Sequence, residues 1–151
     1  MLLECGYEAL HATALRRSTL LNSRTGVFLG MEYFDFNLIV MDSPLQHSVF
    51  ATNSGAMAAG RTSFALGLHG PCLLTGTTCS AGLVAVGLAC GALASAECSA
   101  ALATAASLIL RPLGHIWHSR AGGLSRAGRC HTFDARADGL LLTRSIACSW
   151  N

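Results

Sequence analysis

A layered α/β fold is what the sequence predicts, on three observations. Two apolar runs too short for ordinary helices, Thr25–Met31 and Pro71–Thr75, read as buried strands. Leu3, Tyr7, Leu10 and Ala14 recur at helical spacing and give the first segment one apolar face. Residues 80 to 110 carry a single formal charge, Glu97, as expected of a helix and a strand buried between layers.

The elements follow in order. After the strand at 25–31 comes a loop rich in polar and aromatic residues. Ser54 to Leu66 suits a helix with Ala58, Arg61 and Ala65 on one side, and Gly67, Gly70 and Pro71 force a break. Cys72 to Thr75 is a short strand, Ser80 to Ala96 a long helix of small residues, and Ala100 to Leu110 a strand running into a turn at Arg111-Pro112. Residues 111 to 139, with five glycines, read as ordered loop with little regular structure. There is no internal repeat.

Cys79 stands out by position, between the strand at 72–75 and the small-residue helix. Gly76 permits a sharp turn, Thr77 or Thr78 can cap the helix, and Cys79 falls among backbone N–H groups that have no partner within the helix. The positive end of the helix dipole favours thiolate over thiol. The same amides can hold a developing oxyanion on a substrate carbonyl, so the pattern points to thioester chemistry. Cysteine also packs as a small apolar residue, and six others occur, at positions 5, 72, 90, 98, 130 and 148.

The residues around Cys79 carry a longer pattern. Gly60-Arg61-Thr62-Ser63-Phe64, Gly67-Leu68-His69-Gly70-Pro71, Thr77-Thr78-Cys79-Ser80, Leu83-Val84-Ala85-Val86, Leu88-Ala89-Cys90 and Glu97-Cys98 follow in order. Upstream stand Leu2-Leu3-Glu4, Tyr7-Glu8-Ala9-Leu10 and Thr25 to Gly30. Downstream stand Ser119-Arg120-Ala121-Gly122, Gly128-Arg129-Cys130, Thr132-Phe133-Asp134 and Ala137-Asp138-Gly139. From residue 2 to residue 139 the chain resembles the β-ketoacyl synthase domain of type I polyketide synthases. The resemblance implies an incomplete, N-terminal half of a thiolase-like layered α/β fold, a partial synthase domain over 1–139 and an unrelated tail over 140–151.

It also implies a function. Intact relatives transfer an acyl group from a phosphopantetheine-linked thioester on an acyl carrier protein to a cysteine, here Cys79, then condense it with a decarboxylated malonyl unit. No separate cofactor or metal is implied. A dimer surface would lie along the strand near Cys72 to Thr77. Two histidine motifs and a lysine that serve the condensation in the family have no match: the chain has no lysine, and none of its six histidines lies in either motif. The resemblance therefore implies an acyltransferase of this family, expected to be inactive in condensation on its own, and a middle piece of a synthase. The alternatives are a non-catalytic fragment that binds a full-length synthase, and a two-span membrane hairpin over 80–96 and 98–110.

There are departures within the match. Gly76 stands where the family usually has aspartate, Ala81 and Gly82 where it has serines, and Thr104-Ala105 where it has two glycines. A β-branched residue at 104 would be strained if that site required a positive φ.

Composition narrows the function classes. The chain has 151 residues, 52% hydrophobic and only 12% charged, which suits a domain that buries a partner surface. All ten basic residues are arginine and the net charge is +2, so nucleic-acid binding has little support. The start lacks a basic region and a cleavage pattern, which argues against a secretory signal, and the two apolar segments fall short of the roughly 20 residues that cross a bilayer. Seven cysteines without Cys-x-x-Cys pairs fit a reducing compartment, and the expected location is cytoplasmic. His115, Trp117 and His118 have no carboxylate or cysteine at ligand spacing and read as loop or surface. Arg61 reads as a buried ion-pair or carbonyl-capping residue.

Overall fold

The computed structural model describes residues 2–13, 16–31, 35–44, 54–143 and 145–150. The polar and aromatic loop expected after residue 31 falls largely outside them. The helices are α1 (Leu2–Ala12), α2 (Arg17–Leu20), α3 (Asp35–Met41), α4 (Gly55–Leu66), α5 (Ala81–Ala94) and α6 (Pro112–Arg120). The strands are β1 (Thr25–Gly30), β2 (Cys72–Thr75), β3 (Ala100–Ser107) and β4 (Ser145–Trp150), in one sheet of order β2-β1-β3-β4.

β1 pairs in parallel with both β2 and β3, and β4 runs antiparallel along β3. All six residues of β1 are buried, as a strand covered on both faces requires. Side-chain alternation then sorts two cores. Phe28, Ala101 and Ala103 face one side and pack with Ala85, Ala89 and Ala92 of α5. Val27 and Leu102 face the other and pack with Leu10 of α1, Leu66 of α4 and Leu20 and Leu68. The result is helix, sheet, helix, in three layers.

The turn chemistry of α4 is local and complete. Ser54 Oγ accepts from Met57 N at 3.4 Å at its start. At its end Gly67, at φ 68°, donates to Phe64 O as a left-handed stop.

The fold bears on five of the sequence readings and overturns the loop at 112–120 and the buried Arg61. Residues 112–120 are helical, with Pro112 at the first helical position, where its missing N–H costs nothing. Thr104 is an ordinary strand residue, 4% exposed, so it bears no positive-φ strain. Arg61 is exposed on α4 rather than buried. Residues 100–107, the second span of the considered membrane hairpin, form a sheet strand paired on both sides. Among the described residues no helix is long and apolar enough to cross a membrane. Residues 145–150, in the segment expected to be an unrelated tail, form β4 in the same sheet.

Candidate active site around Cys79

The site lies at the carboxyl ends of the parallel strands, where open α/β sheets place their crevices. The ends of β1 and β2 are level: Gly30 is the register partner of Thr75, and Met31 N donates to Thr75 O at 3.1 Å. The chain then passes Gly76 and Thr77, makes one 3₁₀ turn over Thr78–Ser80 and enters α5. Cys79 is at the middle of that turn, and it is exposed.

Small residues allow this convergence. A Cβ on Gly30 would lie 2.5 Å from the backbone C and O of Ala81 and 2.8 Å from Gly82 N. A Cβ on Gly82 would lie 3.1 Å from Ala105 Cβ. The amino end of α5 thus rests directly on the ends of β1 and β3, and it carries Cys79 with it.

The turn differs in detail from the expectation. Gly76 is not the left-handed residue; Thr78 is, at φ 52°. A β-branched residue there is a real backbone outlier, of a kind that costs on the order of 1–3 kcal/mol and clusters at functional sites. Neither threonine caps α5 through its side chain. Instead Ser80 Oγ–H donates to Thr77 O at 2.7 Å and lies 3.0 Å from Thr77 Oγ1, closing the turn on itself.

Cys79 borders a cavity of about 310 Å³ whose wall includes Gly30, Asp35, Ala105, Ser107, His118 and Ala147. Asp35 is committed to structure: its Oδ2 accepts from the backbone N–H groups of Leu110 at 3.0 Å and Arg111 at 3.2 Å, fixing the approach to α6. His118, expected at the surface, is partly buried on the cavity wall. Its Nδ1 lies 2.9 Å from Gly114 O, and since a carbonyl only accepts, Nδ1–H is the donor. Beyond α6 the chain folds back, with Leu140 N donating to Gly123 O at 2.9 Å and Leu140 and Leu142 closing the wall.

The other sequence candidates do not join the site. His115 and Trp117 are exposed, and among the described residues no three His, Cys, Asp or Glu side chains gather as a metal-binding group. Phe133 is fully exposed at φ 60°. Asp134 forms an exposed ion pair with Arg136 at 2.8 Å, which holds its carboxyl below the ordinary range. Cys90 is exposed on α5, whereas Cys98 is buried at 4%.

The comparisons with known proteins agree with this architecture. The family described as Beta-ketoacyl synthase, N-terminal domain, matches residues 1–149. The chain is 39% identical over 143 residues to the phthioceranic/hydroxyphthioceranic acid synthase of Mycobacterium tuberculosis, covering 93% of this chain and 7% of that protein. It is 37% identical over 150 residues to the reducing polyketide synthase ppsB of Aspergillus oryzae, covering 97% and 6%. Among solved structures, the ketosynthase from module 6 of the bacillaene synthase of Bacillus subtilis 168 superposes with a TM-score of 0.85 at 31% identity, covering 98% of this chain and 25% of that one. An oxazolomycin ketosynthase domain of Streptomyces albus gives 0.84 at 28%, covering 99% and 26%.

The chain belongs to the β-ketoacyl synthase family. Its fold is that of thiolase-like ketosynthase domains, and it corresponds to the N-terminal part of a ketosynthase of the polyketide-synthase type. It spans about a quarter of the solved ketosynthase chains and 6–7% of these two synthases.

Proposed function

We propose that Cys79 is the acyl acceptor of a polyketide ketosynthase. The observation that carries the reading is an exposed thiol on a backbone-strained turn at the strand ends, opening on a mostly apolar cavity. The substrate class is an acyl thioester on the phosphopantetheine arm of a carrier protein. The Cys79 sulfur attacks the carbonyl carbon and the carbonyl becomes an oxyanion, for which the Cys79 N–H is one donor in the family's arrangement. The oxyanion then collapses, the bond to the pantetheine sulfur breaks, and that thiolate leaves and takes up a proton.

Partners follow from the same reading. Among the described residues β2 is an edge strand with its outer side unpaired in the sheet and Cys72 and Leu73 exposed, which suits strand-to-strand pairing with a second synthase chain. Leu83, 80% exposed, together with Val86 and Leu88, leaves the outer face of α5 apolar, which suits coverage by further polypeptide. Those surfaces also favour a second reading, a chain that associates with a full-length synthase without catalysing.

The test is incubation of the 151-residue chain with acyl and malonyl thioesters. The reading predicts an acyl adduct that Cys79→Ala abolishes, with no β-ketoacyl product and no carbon dioxide above that control, since no histidine lies in a family motif. An adduct persisting in Cys79→Ala would place the nucleophile elsewhere. Association with a synthase and no adduct at all would leave the second reading standing.

A further inference from the structure

Away from Cys79, α1 lies on the sheet face that holds Leu102, close enough that a Cβ on Gly6 would sit 3.4 Å from Leu102 Cδ2. Thr104, two residues along β3, faces the same side, and its register partner in β4 is Cys148. Cys5 precedes Gly6 on α1. Both thiols are half-buried where α1 packs on β4, within interaction distance of each other, with Glu8 one turn further along the helix.

We propose that Cys5 and Cys148 are a disulfide-forming pair that locks α1 to β4 when the chain meets a peroxide-class oxidant. This inference does not depend on the role of Cys79. Burial first, then the neighbouring Cys5 and the charge of Glu8, pushes the Cys148 thiol up to about 12, so Cys148 is a poor first nucleophile. Cys5 is therefore the sulfur presented to the oxidant. Its thiolate attacks one peroxide oxygen, the O–O bond breaks, hydroxide leaves, and Cys5 becomes a sulfenic acid. The Cys148 sulfur then attacks the Cys5 sulfur, the S–O bond breaks, and the departing oxygen takes up protons to leave as water. In sum two thiols lose two electrons and two protons, and one peroxide becomes two waters. The link would fix the strand whose Ala147 lines the cavity beside Cys79.

Trypsin isolates both partners: cleavage after Arg16 releases residues 1–16 with Cys5 as their single cysteine, and cleavage after Arg144 releases 145–151 with Cys148 as theirs. The folded chain is treated with dilute hydrogen peroxide, quenched by alkylation and mapped without reductant. The expected product is 1–16 joined to 145–151, two hydrogens lighter than the separate peptides, lost on reduction and absent from Cys5→Ser and Cys148→Ser. The same link should be enriched roughly tenfold over a sample oxidised in concentrated urea, where all seven cysteines compete; this comparison needs no variant to fold. Equal yield in urea, or oxidation of exposed Cys79 and Cys130 with no 1–16/145–151 link, would overturn the proposal.

Discussion

Replacing Gly30 by alanine tests how the candidate nucleophile is held in place. The new Cβ would meet the Ala81 carbonyl carbon and oxygen at 2.5 Å and Gly82 N at 2.8 Å, about 1 Å inside ordinary contact. Those neighbours are backbone at the start of α5, so no side chain can rotate away; either β1 or the helix must move. Overpacking of this kind costs typically 1–3 kcal/mol. For a chain of this size each kcal/mol lowers the thermal midpoint by about 2–4 °C, giving an expected fall of roughly 2–12 °C. Gly60→Ala is the matched control: it lies in the interior of α4, its Cβ would meet nothing within 4 Å, and alanine there should stabilise by about 0.5–1 kcal/mol. Thermal unfolding followed by circular dichroism reads both, and iodoacetamide labelling of Cys79 in Gly30→Ala reports whether the turn has shifted. A Gly30→Ala midpoint equal to that of the wild type, with unchanged Cys79 labelling, would refute the close approach of α5 to β1.

Two further outcomes are expected. In the folded chain Cys79 and Cys90 are exposed and Cys98 is 4% exposed, so iodoacetamide should modify the first two well before the third. Peptide mapping checks this, and the difference should vanish in urea. The Arg136 side chain, then its backbone N–H, depresses the Asp134 carboxyl below its ordinary value of 3.8. A depressed folded pKa favours the native state above the unfolded value, and that contribution fades as pH falls through the folded one, so its window lies below about pH 4. Arg136→Gln should return the Asp134 titration, followed by carboxyl NMR, toward the ordinary range; an unmoved titration would remove Arg136 as the cause.

The parts legible in the sequence are those where local chemistry and tertiary packing agree. β1 reads as buried because every residue from Thr25 to Gly30 is apolar, small or β-branched, and all six are buried. The Ser54 start and Gly67 stop of α4 are written in residue type. α6 was hidden because Pro112 signals a turn as readily as a first helical residue, and the segment has no apolar stripe: none of its residues is fully buried. The exposure of Cys90 was hidden for the opposite reason. α5 is apolar all round, so its pattern does not reveal that the face of Ala81, Ala85, Ala89 and Ala92 is the buried one. The place of Cys79 between strand and helix was readable; the left-handed Thr78 beside it was not, because threonine is among the residues least suited to that conformation. His118 lines the cavity on a helix whose approach is tied by Asp35, far away in sequence, a contact no local pattern announces.

The most direct test of the central claim compares two exposed cysteines within one molecule. The chain is incubated briefly with a short acyl thioester of pantetheine, and the acyl groups on Cys79 and Cys90 are quantified by fragment-ion mass spectrometry. Both thiols are open to solvent, but only Cys79 stands on the turn that borders the cavity, where the proposed reading puts the oxyanion beside the Cys79 N–H. Acylation of Cys79 in clear excess over Cys90, abolished when the chain is unfolded in urea, is the predicted result. Equal acylation of the two, or acylation of Cys79 that is no faster folded than unfolded, would contradict it.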